Sequence, residues 1–380
     1  MQTIAHSESR LLCPDRNPVL RALIKPTIYD QFCAGRNGLE VRSGAAAVKG
    51  LGVSGVILAY AKEIELTEDM AKLAEEAGMT NAEAEIQQWL DGCIETLRMT
   101  NPEDLMAIKI TGAGSNVMQA MVNGTELPKA FYTAVDAMCE MACAQGTRIL
   151  VDSEQAAVQK SIDRIAIDMM RKWNKAGERP LIYNTIQAYL KESKTKLAEQ
   201  LSLASKEGWS MGIKLVRGAY IGSEERSLIH DTKADTDASY NGIVRMLLKG
   251  EVEGVDNLPR YEMIQAGHNA ESIEQSIALA TKLAEAGKLK VSPEYGQLQG
   301  MADDLGCEVC YESQRLREKG SAFVPRLHKY LVWGSVKECM QYLVRRAIEN
   351  QSAAEKMKEG YRKYGKELRR RMGRSIGLAR

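Results

Sequence analysis

Residues 147–153 read TRILVDS, a short apolar and β-branched run that ends in an aspartate and a serine. The runs PLIYNTIQ (180–187) and MGIKLVRG (211–218) repeat this pattern, and amphipathic stretches separate the three runs. Near-continuous apolar character, rather than strict alternation, is typical of parallel strands that are buried on both faces. Each amphipathic stretch is long enough for the crossover helix that a parallel pair requires. This segment therefore predicts repeated βα units.

The same alternation extends in both directions from this segment. Five further runs share its apolar character: GVILAYA (55–61), LMAIKIT (105–111), YEMIQAG (261–267), KLKVSPE (288–294) and VPRLHKYLVWG (324–334). Eight strands, each followed by a helix, is the count of a closed (β/α)8 TIM-like barrel. We therefore predict an α/β protein with this barrel, and a doubly wound open sheet is the alternative.

The segments around these strands add helices to the barrel. Residues 64–100 are helical and charged and indicate an elaborated first crossover, and residues 1–54 form a predicted N-terminal helical arm. Residues 351–380 form a basic C-terminal tail with ten Lys or Arg against three Glu. Such a tail is typical of a solvated helix or of peripheral contact with an anionic membrane surface. Because no repeat or linker interrupts the sequence, we predict a single domain over residues 1–380.

Composition and charge restrict the class of protein. The chain is 44% apolar and 27% charged, as expected of a soluble globular protein with a large core. Its formal net charge of +1 argues against a polyanionic partner, so no nucleic acid is expected. No apolar run is as long as a membrane span. The eight cysteines are interpreted as reduced structural thiols, and no metal site is predicted, because the C-x-x-C of Cys307 and Cys310 has no second pair.

The first residues, MQTIAHSESRLL, contain neither the apolar core of a signal peptide nor the repeated arginines of an organelle presequence. The chain is therefore expected to be cytoplasmic if it is complete as given. If a presequence has been removed, the chain is expected to be a mature, targeted form.

One glycine pattern imitates a dinucleotide site. Gly50-Leu51-Gly52-Val53-Ser54-Gly55 fits G-x-G-x-x-G, which in Rossmann proteins follows a strand and opens a helix. Here the pattern follows a helical AAAVK segment and precedes a predicted strand. We interpret it as the end of a helix and a turn.

Polar residues follow seven of the eight predicted strands, at the end where barrels of this kind form their active sites. Any one of them could belong to a structural ion pair, but burying so many polar groups is costly unless they are paired or used. They are Lys109, Asp152, Ser153, Glu154, Gln187, Tyr189, Lys214, Arg217, Tyr220, His268, Asn269, Glu294, Tyr295, Gln297 and Tyr330.

The pair Arg345 and Arg346 lies beyond the last predicted strand, in the helical run YLVRRAIEN (342–350). Glu349 is four residues after Arg345 and three after Arg346, so it can pair with either along one helix face. Tyr342 shares that face with Arg346. On spacing alone, the pattern fits a surface salt-bridge helix as well as a guanidinium fork that binds a carboxylate.

Three segments resemble the signature segments of the proline dehydrogenase family: KLVRGAY (214–220), EYGQLQGMADDL (294–305) and KYLVWGSVKECMQYLVRRAIEN (329–350). FCAG (32–35), GVILAYAKE (55–63), IKITGAG (108–114), LVDSEQ (150–155) and IQAYLK (186–191) resemble its eukaryotic, especially fungal, branch. The resemblance implies a distorted (β/α)8 barrel that binds FAD and oxidises L-proline to Δ1-pyrroline-5-carboxylate, with hydride transfer to flavin N5. It also implies a quinone or other electron acceptor and, for mitochondrial members, a place on the matrix side of the inner membrane.

The resemblance also implies roles for individual residues. Arg345 and Arg346 would bind the proline carboxylate, and Glu349 would hold that pair in place. Six residues would line or close the substrate cavity: Lys109, Asp152, Tyr220, Leu298, Tyr330 and Tyr342. Seven would contact the flavin: Gln187, Lys214, Val216, Gly218, Ala219, Thr232 and His268.

Two positions refine this expectation. Gly267 stands where the family usually carries Ser or Thr, and Tyr330 favours proline over 4-hydroxyproline because hydroxyproline-specific relatives carry a smaller residue there. The alternative substrate is a proline analogue such as pipecolate, hydroxyproline or another cyclic imino acid. Two other classes remain as alternatives: a flavin-free lyase that uses Lys109 as a Schiff-base amine, and a non-catalytic binding protein.

Overall fold

Eight parallel strands close into a barrel in the computed structural model, which describes residues 9, 11–62, 82–222 and 224–346. A ninth, short strand precedes them in the chain. In order, the strands are β1 (Cys33–Gly35), β2 (Gly55–Tyr60), β3 (Leu105–Ile108), β4 (Arg148–Val151), β5 (Ile182–Gln187), β6 (Met211–Val216), β7 (Tyr261–Ala266), β8 (Glu294–Leu298) and β9 (Arg326–Trp333).

Strand β9 closes the barrel because it pairs in parallel with both β8 and β2. Its register with β8 runs up to Leu298 opposite Tyr330, and its register with β2 runs up to Tyr60 opposite Trp333. Strand β1 pairs with the last residues of β9, Val332 and Trp333, beyond the point where β8 ends. The predicted closed barrel is therefore confirmed, the open sheet is wrong, and β1 distorts the ring at its junction.

Ten α-helices of seven or more residues connect or flank these strands in the described chain. They are α1 (Pro18–Ile24), α2 (Gly38–Lys49), α3 (Ala82–Met99), α4 (Ser115–Asn123), α5 (Lys129–Gln145), α6 (Ala156–Trp173), α7 (Ser193–Glu207), α8 (Lys233–Lys249), α9 (Ala270–Glu285) and α10 (Asp303–Glu318). Residues 340–346 are also helical. In the part of the chain that the structure describes, no helix is both long enough and apolar enough to cross a membrane.

The chain divides into two compact units. The larger unit is Asp30–Gly334 and contains the whole barrel, whereas the smaller unit joins Met1–Tyr29 with Ser335–Arg380. Helix α1 and the helical residues 340–346 belong to the smaller unit.

Helix α2 covers the wall of the barrel where the ring closes, since it contacts β1, β2 and β9. The Asn37 side chain caps its first turn by accepting bonds from the backbone N–H groups of Leu39 and Glu40. The helix ends at Gly50, and a turn then leads into β2. The G-x-G-x-x-G pattern is thus a helix end and a turn, as predicted.

Two predictions about individual strands are wrong. The run at 288–294 does not form the seventh barrel strand; that strand is β8, which begins where the predicted run ends. Its sequence EYGQL carries a glycine and two polar side chains, and pairing with β7 and β9 rather than apolar character makes it a strand. The other error is β1, which lies inside the arm that was predicted to be helical. Residues 63–81 of the first crossover and the tail 351–380 lie outside the described residues.

Alternate side chains of each strand face the barrel interior and the outer layer of helices. Successive side chains of a strand point to opposite faces. Val56 and Leu58 of β2 pack in the core cluster between strands and helices. Ile57, which lies between them, therefore points into the barrel, where it is 1% exposed.

Charged side chains fill the amino-terminal end of the barrel interior. Arg148 of β4 donates two hydrogen bonds to Glu294 of β8, with N–O distances of 3.0 and 2.8 Å. His328 Nε2 of β9 lies 2.7 Å from the same carboxylate. The Tyr183 hydroxyl accepts from Arg148 at 3.3 Å and donates to Glu262 at 2.9 Å. These contacts join five strands at one end of the barrel.

Two opposing effects set the pKa of Glu294. Burial raises the pKa of this carboxyl, but the hydrogen bond with His328 and the charge of Arg148 outweigh burial and hold the pKa well below its usual range. Glu294 is therefore ionised in the folded protein and provides the negative charge that the buried Arg148 requires.

Replacing Glu294 with Gln should lower the free energy of unfolding at pH 7 by about 3–5 kcal/mol, because it breaks a buried ion pair. Since the folded pKa lies below the unfolded value, the wild-type advantage is present above the unfolded pKa of about 4.3 and is lost as the pH falls through the folded pKa. Urea denaturation at a series of pH values measures both effects. The exposed Glu274→Gln variant is the control, and a wild-type advantage that is undiminished at pH 3 would contradict the account.

Candidate active site

Asp152, Lys214 and Tyr330 meet inside the barrel at the carboxyl end of the strands. Lys214 donates a hydrogen bond from Nζ to Asp152 Oδ1, and the Tyr330 hydroxyl donates to Asp152 Oδ2 at 2.6 Å. The ammonium nitrogen of Lys214 lies 5.2 Å from the centroid of the Tyr330 ring. All three side chains are buried. One carboxylate thus fixes a cation from β6 and a phenol from β9.

Alternation along the strands explains why these residues meet. Arg148 and Asp152 are four residues apart on β4 and its extension, so they point to the same face. His328 and Tyr330 are two apart on β9 and also share a face. Arg148 and His328 therefore lie in the charged cluster at the amino-terminal end of the barrel interior. Asp152 and Tyr330, from the same two strands, lie toward its carboxyl end.

The pairing of Asp152 with Lys214 neutralises two charges that would be costly to bury alone. The carboxylate accepts from a partner at each oxygen, so its orientation is fixed. Lys214 thus places its ammonium group at a position that is 7% exposed. An ammonium held in this way can stabilise negative charge that develops on a bound group.

Gln187 ends β5 and brings an unsatisfied amide to the same end of the barrel. It is 4% exposed, and neither its amide nitrogen nor its amide oxygen has a hydrogen-bond partner in the described part of the chain. Leaving such a group unpaired costs roughly 1–3 kcal/mol. The residue therefore fits a ligand whose edge both donates and accepts hydrogen bonds.

Gly218 follows β6 and requires the absence of a side chain. Its φ of 141° lies in the region that favours glycine, and a Cβ at this position would overlap the Tyr189 ring. Tyr189 is fixed in turn, because its hydroxyl donates to Glu224 at 3.0 Å and its backbone N–H to the Arg217 carbonyl at 2.7 Å. The chain after β6 thus lies directly against a buried ring, and Ala219 is exposed beside it.

His268 links the ends of β7 and β8. Its Nε2 accepts a hydrogen bond from the backbone N–H of Leu298 at 3.0 Å. This contact assigns the proton of the neutral ring to Nδ1. His268, a predicted flavin contact, therefore fixes the backbone of Leu298. Leu298 was predicted to be a wall of the substrate cavity.

Three further predicted site residues of the larger unit, Val216, Lys109 and Tyr220, lie on or after three different points of strands β3 and β6. Val216 pairs with Gln187 in the sheet. Lys109 follows β3, and its carbonyl accepts from the Trp89 indole at 3.0 Å. Tyr220 follows the turn after β6 and is partly buried.

Thr232 has a structural role at the start of α8. It forms a capping box with Asp235: the Thr232 hydroxyl accepts from the Asp235 N–H at 3.1 Å, and the Thr232 N–H donates to the Asp235 carboxylate at 3.0 Å. The residue is exposed, and its hydrogen bonds within the described chain do not connect it to Asp152, Lys214 or Tyr330.

In the smaller unit, the structure describes three of the four predicted residues. Tyr342, Arg345 and Arg346 lie on the helical residues 340–346, and Tyr342 and Arg346 are buried. The guanidinium carbon of Arg346 lies 5.1 Å from the centroid of the Tyr342 ring, as their spacing predicts. Glu349 lies outside the described residues.

Sequence reasoning missed one buried charge beside the site, Lys329. Its ammonium lies 2.9 Å from Asp303 Oδ1, and its side chain is 5% exposed. The sequence did indicate this residue: a lysine in the middle of the apolar run RLHKYLVW places a charge on a buried strand, and such a charge requires a partner.

A closed barrel with polar side chains gathered at the carboxyl ends of its strands is the architecture of (β/α)8-barrel enzymes. The family model described as proline dehydrogenase matches residues 42–359. The chain therefore belongs to the proline dehydrogenase family, as the sequence resemblance indicates.

Individual relatives agree with this assignment. The chain is 35% identical over 256 residues to the "Probable proline dehydrogenase, mitochondrial" of Schizosaccharomyces pombe, and 32% identical over 228 residues to "Proline dehydrogenase 1, mitochondrial" of Homo sapiens. These alignments cover 64% and 57% of this chain but only 50% and 35% of the two relatives. The bovine "Hydroxyproline dehydrogenase" is 26% identical, and its alignment covers 94% of this chain and 84% of that relative.

Solved structures show the same fold. Proline utilization A from Bdellovibrio bacteriovorus superposes with a TM-score of 0.63 and 20% identity over 87% of this chain and 33% of that one. The protein of the same name from Bradyrhizobium japonicum, a D778Y mutant, gives a TM-score of 0.60 and 18% identity over 90% and 32%.

Replacing Gly218 with Ala should destabilise the protein by about 1–3 kcal/mol, because the new Cβ overlaps the Tyr189 ring and the backbone conformation is strained. Thermal denaturation followed by circular dichroism measures the loss. Gly222→Ala is the matched control, since nothing lies within 4 Å of a Cβ built there. Equal melting temperatures for the two variants would show that the turn after β6 is not held against Tyr189.

Proposed function

We propose that the chain is an FAD-dependent dehydrogenase that oxidises L-proline to Δ1-pyrroline-5-carboxylate. The observation that carries the proposal is the buried group of Asp152, Lys214 and Tyr330 at the active-site end of a proline dehydrogenase family barrel. A fixed cation and a fixed phenol, both buried, suit a reaction that removes a hydride rather than one that needs a nucleophile.

The residues at this end of the barrel fit a flavin. The buried amide of Gln187 lacks partners and offers the donor and acceptor that the pyrimidine edge of a flavin requires. Lys214 would supply a positive charge that stabilises the negative charge of a reduced flavin. The bound flavin would supply the two-electron acceptor for the oxidation. We propose that it is held by Gln187, Lys214, Val216, Gly218, Ala219, Thr232 and His268.

The substrate needs a carboxylate anchor and a cavity that orients the ring. We propose that Arg345 and Arg346 bind the carboxylate through charge-assisted hydrogen bonds and that Glu349 holds the pair. The remaining proposed substrate residues, which line or close over the ring, are Lys109, Asp152, Tyr220, Leu298, Tyr330 and Tyr342. The ring nitrogen must be uncharged before a hydride leaves the neighbouring carbon, so the reaction should speed up as proline loses its ammonium proton.

A quinone is the proposed electron acceptor, and the mitochondrial inner membrane on its matrix side is the proposed location. The fission-yeast and human relatives are named as mitochondrial. The basic residues 351–380 are the proposed point of peripheral contact with an anionic membrane surface.

A proline analogue is the second candidate substrate, because the bovine hydroxyproline dehydrogenase aligns over nearly the whole chain. Tyr330 argues for proline: Asp152 holds its hydroxyl at 2.6 Å, so the ring extends into the barrel and leaves less room for a hydroxylated substrate.

Turnover with a dye acceptor should be fastest with L-proline in a panel that also contains hydroxyproline, pipecolate and azetidine-2-carboxylate. The Tyr330 side chain leaves less room for hydroxyproline and pipecolate, which are larger than L-proline. A higher kcat/KM for hydroxyproline would overturn the choice of substrate, and a colourless protein that cannot be reconstituted with FAD would overturn the function.

Replacing Arg346 with Met should raise KM for L-proline about 10- to 150-fold while flavin stays bound, because a charge-assisted hydrogen bond contributes roughly 1.5–3 kcal/mol. Steady-state kinetics and the visible spectrum of the variant measure the two effects. Arg171→Met is the control, since Arg171 is bonded to Glu207 on the outer helices. An unchanged KM in the Arg346 variant would mean that the carboxylate is held elsewhere.

A further inference from the structure

Lys329 is a buried charge that the proposed reaction does not use. It precedes Tyr330 on β9, and because side chains alternate along a strand, Lys329 points outward while Tyr330 points into the barrel. Helix α10 lies directly over the ammonium: a Cβ added at Gly306 would lie 3.2 Å from Lys329 Nζ. Burying an ammonium is costly unless it is paired, so its partners indicate what it does.

The partners of Lys329 lie in the connection between β8 and α10 and at the first residue of α10. Nζ lies 2.9 Å from Asp303 Oδ1 at the start of α10 and 3.4 Å from the carbonyl oxygen of Met301. The connection itself consists of residues 299–302. A single cation therefore ties this turn to β9.

The turn needs a tie because its backbone is strained. Ala302 has a φ of 49° and is the one non-glycine residue with a positive φ in the described chain. Gly300 has a φ of 73°, and a Cβ there would lie 2.7 Å from the carbonyl oxygen of Gln31. Strain of this kind persists only where the surrounding structure holds it, and it is frequent next to functional sites.

The turn also borders the candidate active site. It follows Leu298, whose N–H donates to His268. Its first residue, Gln299, donates its N–H to the Tyr330 carbonyl at 3.0 Å. A connected set of hydrogen bonds thus runs across the ends of β7, β8 and β9, with His268 at one side and Lys329 at the other. Leu298 and Tyr330, the proposed walls of the substrate cavity, lie between them.

We propose that Lys329 is a positioning residue for the substrate: it holds the turn 299–302, and through the turn it fixes Leu298 and Tyr330 where they close over the ring. Lys329 itself points away from the barrel interior, so it acts through its neighbours and does not touch the substrate. This inference rests on the proposed function, because it assigns a task to two residues of the proposed site.

The variant Lys329→Met tests this role, since it keeps the length of the side chain and removes the ammonium. We expect the apparent KM for L-proline to rise about 10-fold, with kcat changed less than about 2-fold, and amide exchange of residues 299–303 to become at least about 10-fold faster. Melting temperature and flavin affinity should not fall, because the remaining partner, Asp303, is 58% exposed, so the substitution leaves no uncompensated buried charge.

A second substitution separates positioning from a general effect on packing. Adding Ala302→Gly to Lys329→Met should bring KM back toward the wild-type value, because glycine adopts the left-handed conformation without strain and the turn no longer needs its tie. Asp303→Asn, at a side chain that is 58% exposed, should raise KM in the same direction and tests the tie even if the Lys329 variant does not fold. Lys172→Met is the control, since Lys172 makes a similar bond, 2.7 Å to Asp136, on the outer helices.

Wild-type KM and wild-type exchange in the Lys329 and Asp303 variants would overturn the inference. A raised KM that Ala302→Gly fails to restore would also overturn it, because the effect would then not pass through the strained turn. If the wild-type protein does not oxidise L-proline, the proposed function fails instead, and exchange of residues 299–303 still decides whether Lys329 ties the turn.

Discussion

The backbone hydrogen bonds that join β9 to both β8 and β2 close the barrel, and the rest of the site depends on this closure. A closed ring gives every strand one face toward a narrow interior, so side chains from distant parts of the chain must meet there. Asp152 and Tyr330 are 178 positions apart in the sequence, yet their side chains form one hydrogen bond. In an open sheet the first and last strands would lie at opposite edges, and β9 could not pair with β2.

The two ends of the barrel interior differ in how their buried charged and polar side chains are paired. At the amino-terminal end, Arg148 is bonded to Glu294 and His328 Nε2 lies 2.7 Å from the same carboxylate, which is consistent with a role in stability. At the carboxyl end, Asp152 and Lys214 are paired, but the amide of Gln187 lacks a partner among the described residues. The unsatisfied amide of Gln187 is consistent with the proposal that a ligand binds at the carboxyl end.

The sequence was informative about elements whose apolar runs are long and regular, and the barrel class followed from their number. It failed at β8, because a strand with the sequence EYGQL is specified by its neighbours in the sheet rather than by its own side chains. It also failed at β1, whose three residues are too few to form a period. The individual polar residues at strand ends could be named in advance, but not which of them pair, because pairing depends on the register of strands far apart in the sequence. Lys329 was missed for the same reason, since its partners lie across a turn whose backbone conformation no local pattern predicts.

We propose that this barrel brings L-proline and a flavin together so that electrons pass between them. Anaerobic titration of the FAD-loaded protein with L-proline, followed by the visible absorbance of the flavin, tests this claim most directly. We expect L-proline to bleach the flavin completely, whereas glycine, which lacks the ring, should leave it oxidised. A flavin that stays oxidised in excess L-proline, but is bleached by dithionite, would contradict the proposal.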